Sequence, residues 1–226
     1  MLPNTLVQGW MDLTFLNTDF TGIGDAGGLR GSVVAGSLYV SLHTAWPGRT
    51  GNQASSEAAY GSYARFAAAR AGTHFTRSTN SMTTAQNFEF PASSTAEDLY
   101  FFGVGSASSG SGKLLGAGVL GSFLGVYTVV AADTFTIPGL SGLAVNDNIT
   151  FLPVDSVGLG TGVTEGTVYF VKTVSGDAVT VSATQGGATL DVTAVGAGLA
   201  FRVTKISTTT GGTIPRINSG SSILVF

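Results

Sequence analysis

The spacing of apolar residues changes its period once along this chain, near residue 30. Before that point Leu6, Val7, Trp10 and Met11, with Leu13 and Leu16, recur at three- and four-residue intervals. This spacing predicts one short helix over about residues 5–16, with Asn4 or Thr5 capping its first free amides. The stretch Thr21-Gly-Ile-Gly-Asp-Ala-Gly-Gly-Leu29 cannot continue it, because glycine loses backbone entropy in a helix and readily takes positive φ. Afterwards the period is two. Ser37 to His43 sets Leu38, Val40 and Leu42 against Ser37, Tyr39, Ser41 and His43, which predicts a half-buried strand with His43 on its polar side. Trp46-Pro47-Gly48 then reads as a type II turn, proline supplying the fixed φ and glycine the positive one.

Further strands are predicted at Tyr63–Arg70, where alanine richness also permits a helix, at Asn87–Phe90, Leu99–Val104 and Lys113–Leu120. From about Val126 to Lys205 the composition turns Val- and Thr-rich. Runs at 126–137, 148–152, 167–174, 178–183, 189–195 and 199–206 are separated by turn residues such as Ser175-Gly176-Asp177 and Gln185-Gly186-Gly187. This predicts a compact all-β unit. The tail resembles the first segment in its Gly and Ser content, and a lone last strand, Ser221–Phe226, needs sheet partners elsewhere. The expected organisation is therefore a discontinuous parent domain, residues 1–125 plus 206–226, carrying an inserted all-β module at 126–205. The fold class expected is mainly β: a β-sandwich or jelly-roll-like parent with a short N-terminal helix.

Composition adds a constraint on how such a fold lives. Only 10% of the 226 residues are charged, 10 Lys and Arg against 13 Asp and Glu. A typical soluble domain carries about 25%. A monomer of this mass should expose roughly 9,600 Å², so charges are thinly spread and the surface suits contact with other protein. The net charge of −3 gives no footprint for nucleic acid, which needs clustered Lys and Arg. With no cysteine and only His43 and His74, neither a disulfide framework nor a thiolate or histidine metal site is expected. The beginning lacks a secretory pattern, so synthesis in the cytoplasm of the producing cell is expected. Membrane insertion is not expected: the apolar run 114–127 is too short to span as a helix, and the C-terminal segment lacks the alternation of an outer-membrane strand.

Several short patterns look chemical. Gly22, Gly24 and Gly27 satisfy GxGxxG, but a dinucleotide site needs a strand before and a helix after, whereas here the helix precedes. Ser109-Gly-Ser-Gly-Lys113 lacks both the upstream glycine, replaced by Ala107, and the following hydroxyl, replaced by Leu114, of a phosphate loop. Glu97 and Asp98 are adjacent, and on a strand would face opposite ways, so they cannot flank one glycosidic bond. Asp147, Asp155, Glu165, Asp177 and Asp191 are scattered rather than grouped as a calcium loop. No catalytic, cofactor-binding or metal residue is expected. Trp46, Tyr127 and Tyr169 are the candidate exposed contacts, either to protein or as stacking platforms for sugar. For Trp46 the alternative is that it folds back onto its own sheet.

Three linked stretches carry a family resemblance: Ser37-Leu-Tyr-Val-Ser-Leu-His-Thr-Ala-Trp-Pro-Gly48, then Gly51 to Tyr60 with Tyr63-Ala-Arg65, and Val104 to Leu115. With the upstream Gly22–Leu29 loop they resemble a family of small tailed-bacteriophage virion proteins usually labelled tail fibre protein, over most of residues 10–121. That family's turn carries an acidic residue where this chain has Trp46. The 126–205 segment is extra and resembles small β modules of phage appendages. The resemblance implies a non-enzymatic virion component that binds copies of itself, a trimer being favoured, and other tail or capsid proteins. Alternatives are a capsid decoration protein and a carbohydrate-binding receptor module for host glycans.

Overall fold

The computed structural model describes residues 3–23, 28–130, 133–154 and 158–225, and is mainly β, with one helix and several antiparallel sheets. Helix α1 (Asn4–Phe15) buries Val7 and Met11 of the predicted periodicity together with Phe15, which that reading did not include, and leaves Trp10 exposed. Neither expected cap is used. Pro3 holds the cap position, its carbonyl accepting from the Leu6 and Val7 amides, while the Asn4 side chain accepts from Asn80 Nδ2 at 2.7 Å. At the other end the Arg70 guanidinium donates to the Thr14 carbonyl at 2.7 Å and to that of Leu13, a cation where the helix leaves unpaired acceptors.

The chain then forms β1 (Ser37–His43), β2 (Phe66–Ala69), β3 (Phe75–Ser78), β4 (Ser81–Thr84), β5 (Phe88–Glu89), β6 (Asp98–Leu99), β7 (Phe101–Gly105) and β8 (Leu114–Val119). Four of these make one sheet in the order β2-β1-β7-β8. Gly48 takes φ +75°, as the predicted turn requires. The Ser109–Lys113 glycines serve the β7–β8 hairpin, whose Ser106 amide reaches the Lys113 carbonyl. Strand β2 is shorter than predicted because Tyr63 and Arg65 leave the ladder for a buried polar cluster. The β3–β4 hairpin has no counterpart among the predicted strands, since Phe75 and Met82 are its only large apolar side chains.

Six further strands follow the expected composition shift: β9 (Gly121–Val129), β10 (Phe135–Thr136), β11 (Asn148–Leu152), β12 (Val168–Ser175), β13 (Ala178–Ser182) and β14 (Gly196–Val203). They pair in a closed ring, β10-β13-β12-β11-β14-β9, with β9 also bonded to β10. Register shifts at Val171/Thr173 and Ala200/Phe201 supply the bends that closure needs. The run predicted at 189–195 is not a strand. It meets Ser182 only at Thr189, and instead straps one barrel end, where buried Val192 donates its amide to Asp133 Oδ1 at 2.7 Å.

After β14 the chain pairs with earlier strands. β15 (Ile206–Ser207) pairs β6, β16 (Arg216–Ile217) pairs β5, and β17 (Ser222–Val225) pairs β4. Phe226, Asp155 and the Gly24–Gly27 part of the glycine pattern lie outside the described residues. Two apolar clusters result. One joins α1, the four-stranded sheet and the small sheets through residues such as Met11, Val40, Phe75, Phe88 and Leu99. The other fills the barrel around Tyr127, Phe135, Phe151 and Val181.

Candidate assembly surface

Of the residues singled out in the sequence, His43 is buried with a cluster of polar side chains beside the β1–β7 ladder. His43, expected on a polar face, is 0% exposed, because the 51–57 segment folds over that side of β1. Its Nδ1 donates to the Ser55 carbonyl at 2.9 Å, which leaves Nε2 to accept from Ser41 Oγ at 2.8 Å. The spacing is that of a nucleophile and its base, yet Ser41 is also 0% exposed and the orienting group is a carbonyl rather than a carboxylate. A Cβ on Gly103 would stand 2.7 Å from His43 Nε2, so no room exists for a substrate.

Beside this pair, Arg65 binds Glu57 through two nitrogens at 2.6 and 2.7 Å and donates to the carbonyls of Ala107 and Gly110. Tyr63 Oη donates to Glu57 at 3.0 Å and accepts from the Leu42 amide. Gln53 completes the cluster, donating to the Tyr39 carbonyl and accepting from the Ala107 amide. Burial drives the Tyr63 phenol strongly upward and lowers the His43 imidazole below its usual range. The unfolded chain therefore takes up a proton near pH 6.5 that the folded chain refuses. Stability should hold above that pH and fall below it by up to about 1.4 kcal/mol per pH unit. Urea midpoints at pH 7 and pH 5 check this: His43→Gln should flatten the loss, and equal losses in both proteins would refute it.

Several of the carboxylates have a local task. Glu97 accepts from the Ala59 and Tyr60 amides, and Asp98 faces Lys205 and Ser207, so the adjacent pair does diverge. Burial, with Glu97 nearby, pushes Tyr60 up to about 12. Asp147 pairs with Arg202 and Asp177 caps the turn at Gly139 and Leu140. Glu165 accepts from the Trp46 indole, and no group of three potential metal ligands occurs among the described residues.

Two of the three candidate contact aromatics are corrected by their burial. Tyr127 is 0% and Tyr169 3% exposed; both point into the barrel, their hydroxyls bonded to the Leu159 carbonyl and the Thr164 amide. In an alternating strand of a barrel the large ring goes inward, because only the interior offers it a dry environment. Trp46 is half-buried and turns back onto Phe101, at 5.6 Å between ring centres.

Other apolar side chains lie exposed, several of them on the barrel, such as Phe123, Val126 and Val195, and one group lies where α1, β8 and the segment before β1 meet. Trp10 is 45% and Leu115 50% exposed, at a cleft of about 210 Å³ floored by Met11, Phe15, Val104 and Ile223. A second hollow continues from Thr14 and Leu115 to Val34 and Leu38. Val33 and Val34 project fully into solvent on a segment that is firmly held. Ser32 exchanges two hydrogen bonds with the Asn17 side chain, Asp19 accepts from the Gly31 amide at 2.7 Å, and Arg70 reaches Ser32 Oγ. Pinning apolar side chains outward in this way preorganises a contact. The exposed surface totals 10797 Å², above the expectation from mass, which makes its charge sparser still.

A family model described as "Podophage GP4 fiber I protein gp80" matches residues 29–142, just over half of the chain. The chain belongs to this family. It is thus a phage structural protein, and this membership, with the closed Ser41–His43 pair, is consistent with a non-enzymatic role. The fiber I match spans β1 to β10, including Val33, Val34 and Leu115 of the exposed group, and leaves α1 and β11 to β17 outside. Nothing among curated proteins or among solved structures matches the chain. Among the described residues, no helix is long and apolar enough to cross a membrane.

Proposed function

We propose that the chain is a tail fibre or appendage component of the virion that acts by assembling with copies of itself, three being the favoured number. Its parent domain, expected at residues 1–125 plus 206–226 and sandwich-like in its layering of small sheets around one core, would make the contact. The module expected at 126–205, whose first barrel strand starts at Gly121, would project. The observation that carries this reading is the face formed by Trp10, Val34 and Leu115. It combines apolar protrusions with an apolar cleft, and Arg70, which lines the adjoining hollow, is engaged by the helix carbonyls. Exposed apolar side chains beside an apolar cleft make the kind of face that is buried against a second copy.

Withdrawing each large apolar side chain from water contributes roughly 1.5–3 kcal/mol. Trp10→Ser combined with Leu115→Ser should therefore weaken self-association by about 100-fold or more. Sedimentation velocity of the full chain checks this, with circular dichroism to confirm an unchanged fold. A wild-type chain that sediments as a monomer at all attainable concentrations would sink the reading.

Capsid decoration is the second reading, favoured by the absence of any fibrous repeat or heptad pattern in the sequence. Copy number per particle separates the two: tens or fewer for a tail, hundreds for a shell. A receptor module for host glycans loses support, since Tyr127 and Tyr169 have no exposed ring face and the Trp46 indole N–H is already bonded.

A further inference from the structure

The barrel is joined to the rest of the molecule by two adjacent chain segments. The chain enters at Leu120–Gly121 and leaves at Val203–Thr204, and the Thr204 amide bonds the Leu120 carbonyl across them at 2.6 Å. A Cβ on Gly121 would stand 1.9 Å from the Arg202 carbonyl oxygen, so the two strands run in backbone contact as one ribbon. Past the ribbon, Lys205 and Ser207 grip Asp98 at 2.7 and 2.5 Å, and the Leu120 amide bonds the Tyr100 carbonyl. All of these contacts lie along the ribbon. A body held along a single line can still rock about it, and relative motion is the ordinary state of two units linked so narrowly.

A separate contact lies away from that line. In extended chain successive side chains alternate. Asp98 and Tyr100 face the Lys205 side, with Tyr100 Oη donating to Asp98 at 3.3 Å, while Phe101 turns the other way and meets the Trp46 ring. From there Trp46 Nε1 donates to Glu165 Oε1 of the barrel at 2.9 Å. The next residue, Gly166, sits directly against the indole: at φ +66° its Cβ would stand 2.1 Å from Trp46 Cβ. The loop bearing Glu165 and Gly166 is itself fixed to the barrel. Gly166 donates its amide to the Phe151 carbonyl, Thr150 Oγ1 reaches the Thr167 carbonyl, and Tyr169 Oη accepts from the Thr164 amide.

We propose that Trp46, Glu165 and Gly166 form a clamp that holds the barrel in one orientation on the four-stranded sheet. The ribbon supplies connection and the clamp supplies direction. Indole suits this position because it offers both a flat apolar face for Phe101 and the glycine and an N–H for the carboxylate. The inference concerns the joint within one chain and holds whatever the partner of the exposed face.

The chain has no cysteine, so two introduced ones report cleanly. Spin labels at Thr76→Cys and Thr136→Cys, both exposed and on opposite sides of the joint, give a distance distribution by double electron–electron resonance, with labelled chain diluted in unlabelled. The clamp predicts a narrow distribution that broadens about twofold or more in Trp46→Ala. Glu165→Ala, which removes only the hydrogen bond, should broaden it by less. Wild-type width in a folded Trp46→Ala would overturn the clamp. Should that variant fail to fold, Glu165→Ala decides: broadening upholds the clamp and unchanged width rejects it.

Discussion

Phe151→Ala is expected to destabilise the barrel by about 3–5 kcal/mol and to leave the unfolding of the remaining chain nearly in place. Phe151 is 0% exposed and lies at the centre of the barrel's aromatic cluster. Its ring stacks on Phe135 at 4.4 Å and 9° and meets Tyr127 edge-on at 4.8 Å. Removing it leaves a cavity the size of a ring in a closed wall of strands, which cannot collapse around the gap without breaking its own ladder. The locality of the loss follows from the two clusters having separate memberships, joined among the described residues through the ribbon and the Trp46 contact. Calorimetry should resolve an early transition in the variant. A single transition shifted as a whole would show that the barrel and the parent unfold as one.

The second large effect is expected at Arg65. Its side chain is 2% exposed and its partner Glu57 16%, and five groups depend on the guanidinium: two carboxylate oxygens, two carbonyls and, through Glu57, the Tyr63 hydroxyl. Truncation strands a carboxylate in a site where water cannot replace the lost donors, at a cost of about 3–5 kcal/mol. Arg65→Ala should therefore lower the urea midpoint steeply, and Arg65→Lys should recover little, because an ammonium cannot span the carboxylate and both carbonyls at once. Because Ala107 and Gly110 lie in the β7–β8 hairpin, its tip should become accessible to protease in the same variant. A loss under about 1 kcal/mol in Arg65→Ala would mean that the surrounding segments rearrange to admit water, contrary to the rigid cluster described.

The same cluster explains what the family-like stretches are for. Ser41 and His43 come from the first, Gln53, Ser55, Glu57, Tyr63 and Arg65 from the second, and Ala107 and Gly110 from the third. They meet beside the four-stranded sheet in two neighbouring hydrogen-bonded sets, one around His43 and one around Arg65, both of which are buried. Segments far apart in the chain that must satisfy one another's hydrogen bonds cannot vary independently, which ties a recognisable sequence pattern to folding rather than to a surface.

Local order was readable in advance wherever one residue period ran long enough to stand out. Helix α1 follows from Leu6, Val7, Trp10 and Met11 recurring at helical spacing, β1 from the alternation around Val40, and the barrel strands from dense Val and Thr between glycine turns, because these signals depend only on neighbours in sequence. The β3–β4 hairpin escaped for the opposite reason, having two large apolar side chains in ten residues. Exposure was decided elsewhere. His43 looked polar-facing until the 51–57 segment covered it, Tyr127 and Tyr169 looked available until six strands closed around them, and Trp46 was claimed by Glu165, 119 residues away. The exposed face of Trp10, Val34 and Leu115 joins three segments with no shared period. Which side of a residue meets water depends on which distant chain arrives to cover it, and that is settled only when the whole molecule has folded.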